Sequence, residues 1–146
     1  MKFLKTDHIG IVVNNLPAVK AFFLDFGLEV QGEQEIEGEW VDRVVGLNNV
    51  KSSIVVLRPS EGGANIELIK YYNPTDKQEI QQSFANCAGI RNIAFTVDDI
   101  ETVVAEMKKK GFEIFGEIQN YEGIYKLCYI RGPEGIILML AEELRK

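Results

Sequence analysis

Two stretches decide the fold: DHIGIVVNNLPAVKAFFLDFGLEVQGE, residues 7–33, and RNIAFTVDDIETVVAEMKKKGFEIFGE, residues 91–117. Laid over one another they align without a gap, at a constant offset of 84. Identical pairs are Ile9/Ile93, Val13/Val97, Val19/Val103, Ala21/Ala105, Gly27/Gly111, Glu29/Glu113, Gly32/Gly116 and Glu33/Glu117. Two amphipathic segments share apolar residues by chance, but less easily share glycines in register. Self-similarity at a fixed spacing marks a repeated structural unit.

Each copy follows one grammar. An apolar strand, HIGIVV or NIAFTV, leads into Asn14-Asn15 or Asp98-Asp99, side chains suited to an N-cap. A helix follows: Leu16, Val19, Phe22 and Phe23 recur at helical spacing in one copy, Ile100, Val103, Val104 and Met107 in the other. Gly27 and Gly111 stand where a helix must end in positive φ. A strand then resumes at Leu28–Val30 or Phe112–Phe115, and two more complete each half. In the first half they are Lys51–Arg58 and Ala64–Tyr71, around a Pro59–Gly63 turn. In the second they are Ile124–Ile130 and Ile136–Ala141, around Gly132-Pro133-Glu134-Gly135. Residues 35–50 read as an irregular insertion, and insertions of that length carry function more often than not.

The fold class is therefore α+β, two tandem βαβββ modules. One helix covers only one face of a four-stranded sheet, so the other face needs a cover. Two curved mixed sheets side by side would enclose a cleft. The expected organisation is a single domain, residues 1–146, with module 1 at about 1–72, a linker at 73–89 and module 2 at 90–146.

The net charge of −6 argues against nucleic acid, which needs a clustered basic face. The one basic run, Lys108-Lys109-Lys110, ends a predicted helix, where cations complement the dipole. Cys87 and Cys128 form no CxxC pair, and Cys128 reads as a small core residue. No stretch reads as a signal peptide or reaches the ~20 apolar residues of a membrane helix. A soluble cytoplasmic protein without a membrane partner is expected.

These segments, with ANIELIKY and RGPEGIILMLAE, resemble the vicinal-oxygen-chelate superfamily, the glyoxalase, bleomycin resistance protein and dioxygenase group. The resemblance spans nearly the whole chain. It implies a glyoxalase-like fold, a small-molecule ligand and a homodimer. In metal-binding members four strand positions face the cleft, and here they hold His8, Glu67, Asn92 and Met139. The family's isomerase pattern is His, Glu or Gln, His, Glu, so two positions depart from it. An amide is a poor ligand for zinc or nickel, and a thioether suits softer metals. The implied cofactor is a divalent metal (zinc, nickel or cobalt) on His8 and Glu67; the alternative is none. An extradiol dioxygenase needs two histidines, and His8 is the only one.

Without metal, His8 and Glu67 still make an acid–base pair: a carboxylate beside an imidazole orients its tautomer and raises its basicity. Such a pair suits proton abstraction α to a carbonyl, with Arg43, Arg131, Tyr125 or Asn92 as donors to the enolate. The plainer alternatives are a structural histidine and a solvent-facing Glu67. Trp40, Asp42 and Arg43 are read as a surface turn or as a lid, with Trp40 an apolar wall and Arg43 an anion clamp. Tyr121 and Tyr125 line a pocket or form cross-strand pairs. The expected catalytic residues are His8 and Glu67; the expected substrate contacts are Trp40, Arg43, Asn92, Tyr121, Tyr125 and Met139. The expected function is a lyase or isomerase of the lactoylglutathione lyase or methylmalonyl-CoA epimerase type, acting on a small carbonyl or thioester compound. The alternative is a non-catalytic binding protein of the bleomycin-resistance type.

Overall fold

The structure is a computed structural model that describes residues 1–78 and 82–145. Backbone contacts divide the chain into two compact units, Met1–Glu79 and Ile80–Lys146. Part of the expected linker, residues 79–81, lies outside the described residues.

Unit 1 runs β1 (His8–Val12), α1 (Leu16–Phe26), β2 (Glu29–Glu37), α2 (Glu39–Val45), β3 (Lys51–Arg58) and β4 (Asn65–Asn73). Unit 2 runs β5 (Ile93–Thr96), α3 (Ile100–Lys109), β6 (Glu113–Tyr121), β7 (Tyr125–Arg131) and β8 (Ile137–Glu143). Each holds one four-stranded mixed sheet, ordered β1-β4-β3-β2 or β5-β8-β7-β6. In both, the first strand is parallel to the last and the remaining pairs are antiparallel.

The repeat is reproduced bond by bond. Asn15 Oδ1 accepts from Ala18 N at 3.1 Å and Asp99 Oδ1 accepts from Thr102 N at 3.2 Å. Both helices end with the same six-residue bond, Leu28 N to Phe23 O and Phe112 N to Met107 O. Gly27 at φ 119° and Gly111 at φ 92° take the left-handed turn this closure requires. Each helix lays one stripe on its sheet. Val19, Phe22 and Phe23 are fully buried, as are Leu57, Ile66 and Leu68 of β3 and β4. Ile100, Val104 and Met107 are buried in unit 2, with Ile130, Leu138 and Leu140. Each such side chain contributes about 1.5–3 kcal/mol of hydrophobic stabilisation.

Strand alternation then sets the other face. Glu67 lies between buried Ile66 and Leu68, and Met139 between buried Leu138 and Leu140, so both point away from their helices.

Residues 35–50 are not an irregular insertion. The EQEIE run continues β2 to Glu37, which pairs with Lys51. β2 is an edge strand, where charged side chains remain in solvent, and so its polarity concealed it. The chain then forms α2 between Gly38 and Gly46, the latter at φ 74°. Asp42 secures the exit by accepting from Asn49 N at 3.1 Å and Val50 N at 2.9 Å. β6 likewise extends past the expected Phe115 to Tyr121, again at a sheet edge. Among the described residues, no helix is long and apolar enough to cross a membrane.

Candidate functional site

The parallel pairing of β1 with β4 brings His8 and Glu67 together. His8 is level with Asn65, and Glu67 is two residues further along β4, on the same face. His8 Nδ1 lies 3.2 Å from Glu67 Oε2 and 2.7 Å from Asp7 Oδ2. The Glu67 side chain is 21% exposed and that of His8 41%, so the pair sits at a solvent-accessible rim. Sequence reading missed Asp7. It precedes the first residue of β1, so alternation does not turn it to the opposite face; a carboxylate next to the candidate histidine was the available signal.

Two carboxylates on one ring nitrogen determine the tautomer. Neither ionised group donates, so Nδ1 carries the proton and Nε2 is free. The hydrogen bond to Asp7 pushes the His8 pKa above its ordinary 6.5; partial burial opposes this, and the charges of Glu67 and Asp7 add to it. The same bond holds Asp7 below the usual carboxylate range.

Unit 2 has different chemistry at the equivalent places. Glu67 is the β4 partner of Gly10, and Met139 is the β8 partner of Ala94, which is Gly10 in the repeat. Asn92 donates its amide to the Tyr129 hydroxyl at 3.5 Å. Met139, Tyr129 and Phe115 form a row across β8, β7 and β6. The Phe115 and Tyr129 rings meet edge-to-face at 6.1 Å. A cleft of about 320 Å³ opens over this row, with Leu127 and Cys128 also in its wall.

The other expected contacts are dispersed. Trp40 and Arg43 lie on α2, which packs on β2, the sheet edge opposite β1 and His8. Arg43 is paired with Glu39. Trp40 is 60% exposed, and its ring folds back over Gly38. Tyr121 and Tyr125 face each other at the tip of the β6–β7 hairpin, four residues along β7 from Tyr129. That is about 13 Å of strand, and neither lines the cleft. Arg131 stacks on Phe115 at 4.2 Å and donates to Ser83 O at 2.7 Å, so its guanidinium is engaged in packing.

The family metal fits these donors in part. Asp7, His8 and Glu67 place one imidazole nitrogen and two carboxylate oxygens within 4.8 Å of one another. That meets the three protein ligands of a catalytic zinc. The thioether of Met139 and the amide of Asn92 do not suit a borderline divalent ion. The second acidic group, Asp99, Glu101 and Glu142, is occupied otherwise. Asp99 caps α3, Glu142 accepts from Ile100 N at 2.8 Å and Glu101 pairs with Lys126 at 2.8 Å.

Comparison with known proteins agrees with this architecture. A glyoxalase family protein from Bacillus cereus is 39% identical, with 99% of this chain and 97% of that chain covered at a TM-score of 0.93. The trypanothione-dependent glyoxalase I of Leishmania major shares the fold at 22% identity, with coverage of 97% and 88% and a TM-score of 0.67. So does an antibiotic-binding protein from a Streptomyces species, at 13% identity, coverage of 98% and 98% and a TM-score of 0.66. No curated protein matches the chain. The sequence pattern of the glyoxalase/bleomycin resistance protein/dioxygenase superfamily matches residues 7–129, and the chain belongs to that family.

Proposed function

We propose that the protein is a glyoxalase-like lyase or isomerase, of the lactoylglutathione lyase or methylmalonyl-CoA epimerase kind, acting on a small carbonyl or thioester compound. The observation that carries this is the His8 imidazole, whose Nδ1 lies 2.7 Å from Asp7 Oδ2 and 3.2 Å from Glu67 Oε2, which makes Nε2 the basic nitrogen. Nε2 takes the proton from the carbon next to the carbonyl, leaving an enolate, and the imidazolium returns it. The carboxylates hold the ring in one tautomer and favour its charged form as the proton arrives. A positioned base of this kind contributes roughly 10²–10⁴-fold. A divalent cation on Asp7, His8 and Glu67 would instead supply electrophilic polarisation of the carbonyl oxygen, and His8 would then serve as its ligand rather than as the base, because a neutral imidazole has only one lone-pair nitrogen. Arg43 is given no role in this step, because α2 packs on β2, at the sheet edge opposite His8.

A second reading, a binding protein without chemistry, draws on the row of Met139, Tyr129 and Phe115, in which Met139 stands at one of the four positions where metal-binding members carry ligands.

The deciding experiment follows solvent deuterium into the α-position of acyl thioesters and hemithioacetals by mass spectrometry. Exchange that falls at least a hundredfold in His8→Gln supports the acid–base role. Exchange no faster than in buffer across the panel removes the enzyme reading and leaves the binder.

A further inference from the structure

We infer that the groove between the start of α1 and the β2–β3 pair receives the arm Lys2-Phe3-Leu4-Lys5 of a second copy of the chain, and that two copies exchange these arms reciprocally. The groove lies on the sheet face that carries α1. It is therefore separate from the face that holds His8 and Glu67, and independent of the proton-transfer reading.

Alternation along β3 puts Ser53 on the same face as buried Val55 and Leu57. The helix begins only at Leu16, and beyond it the sheet is left open. The opening is about 350 Å³, with Leu16, Ile54 and Val55 as its apolar walls and Ser53 beside them. Glu33, Gln34 and Glu35 form the β2 side. Glu33 is held by Lys20 at 2.5 Å. Glu35 accepts from Ser53 Oγ at 2.7 Å through Oε1 alone. Glu37 follows on the same face, level with Lys51 as Glu35 is level with Ser53. Among the described residues neither Glu35 nor Glu37 has a cation within ion-pair distance. An apolar floor beside uncompensated negative charge suits an occupant with an apolar side chain next to a cation.

The segment before β1 has that chemistry. Phe3 and Leu4 are each 90% exposed, and Lys2 and Lys5 form no ion pair among the described residues. In an extended arm Phe3 and Lys5 fall on one side. Phe3 then meets Leu16 and Val55, and Lys5 meets the carboxylates of Glu35 and Glu37. The arm does not reach the groove of its own chain. It leaves the sheet at His8, level with Asn65, whereas Ser53 is level with Lys70, five residues further along β4, and lies on β3, two strands from β1. That is about 17 Å along the strands and about 10 Å across them, roughly 20 Å in all. Phe3, five residues before His8, reaches about 17 Å when fully extended. The helix also fills the face between. A second copy is therefore the occupant, and reciprocal exchange closes the pair about a two-fold axis.

Sedimentation velocity on the full chain over a concentration series tests this. Wild type is expected to form a reversible dimer below about 100 μM, and high salt should weaken it. Phe3→Ser, which touches nothing in the fold, should raise the dissociation constant at least about tenfold, because it removes a buried aromatic from both grooves. Lys5→Glu and Glu35→Lys should each raise it severalfold, as expected for exposed ion pairs turned repulsive. An equimolar mixture of these two variants should regain the wild-type constant, since each acidic arm then meets a basic groove and each basic arm an acidic one. That recovery also shows that Glu35→Lys is folded. A wild type that stays monomeric at about 100 μM overturns the inference, whether the arm is free or seated on its own chain. So does a dimer indifferent to both Phe3→Ser and Glu35→Lys, which would use another surface, or a mixture no tighter than either variant alone.

Discussion

Glu67 and Met139 occupy one position of a repeated fold: each is the last-strand partner of a first-strand residue, Gly10 or Ala94, separated by the repeat offset. The two modules share this backbone arrangement and differ at this position, which holds a carboxylate in one and a thioether in the other. The carboxylate has an imidazole within 3.2 Å, and the thioether has an aromatic row beside it. Polar chemistry and apolar surface have thus been divided between the modules.

Because His8 is the only histidine, its ring protons titrate without assignment ambiguity. In the metal-free protein the midpoint is expected above 6.5. Asp7→Asn should lower it more than Glu67→Gln, since the Asp7 bond is the larger cause. The linked stability has a definite sign. A histidine whose folded pKa is raised adds stability that is complete below the unfolded value and fades as pH rises through the folded one. Denaturation curves of wild type and Asp7→Asn should therefore differ most at pH 5–6 and converge toward pH 9. A midpoint at or below 6.5 would remove Asp7 from the site.

The sequence disclosed most of this architecture because the repeat is carried by residues with local physical duties. Asn15 and Asp99 cap, Gly27 and Gly111 terminate, and Phe22 and Ile100 are buried. The edge strands were shortened because β2 and β6 need no buried face beyond their first residues, and polar alternation resembles a loop. The His8–Glu67 pair was readable through strand register. Asp7 was not, since its place depends on the backbone before β1. Trp40 and Arg43 are legible in the sequence only as a surface turn or a lid, because composition carries no information on which sheet edge α2 joins.

The two caps should behave as equivalents. Asn15→Ala and Asp99→Ala each remove one acceptor from a helix N-terminus, at a cost of about 1 kcal/mol. Asp99→Ala should be the milder, because Glu142 still accepts from Ile100 N at 2.8 Å. Urea midpoints measured with unchanged slopes test this, and a loss above about 3 kcal/mol for either would exceed a cap's worth.

Trp40 is the only tryptophan and is 60% exposed on α2, at the sheet edge opposite His8. Its fluorescence should be quenched by acrylamide nearly as readily as that of a free indole. Ligands that shift the His8 resonances should leave its emission in place, and Trp40→Ala should alter His8-dependent deuterium exchange less than twofold. A ligand-induced blue shift would restore α2 as a lid.

The two cysteines separate by burial, and their chemistry should follow. Cys87 is exposed and Cys128 buried, and burial pushes the Cys128 thiol up to about 11. Only the thiolate attacks an alkylating reagent. At pH 8 about one Cys128 in a thousand is ionised on that value, each pH unit being a factor of ten. Iodoacetamide on the native protein should therefore add a single mass increment, at Cys87, and a second only after urea. Cys128 labelling should rise as pH approaches 11, provided the fold persists. Fast double labelling at pH 8 would mean that β7 opens, because buried Ile130 and Leu140 otherwise keep that side of the sheet closed.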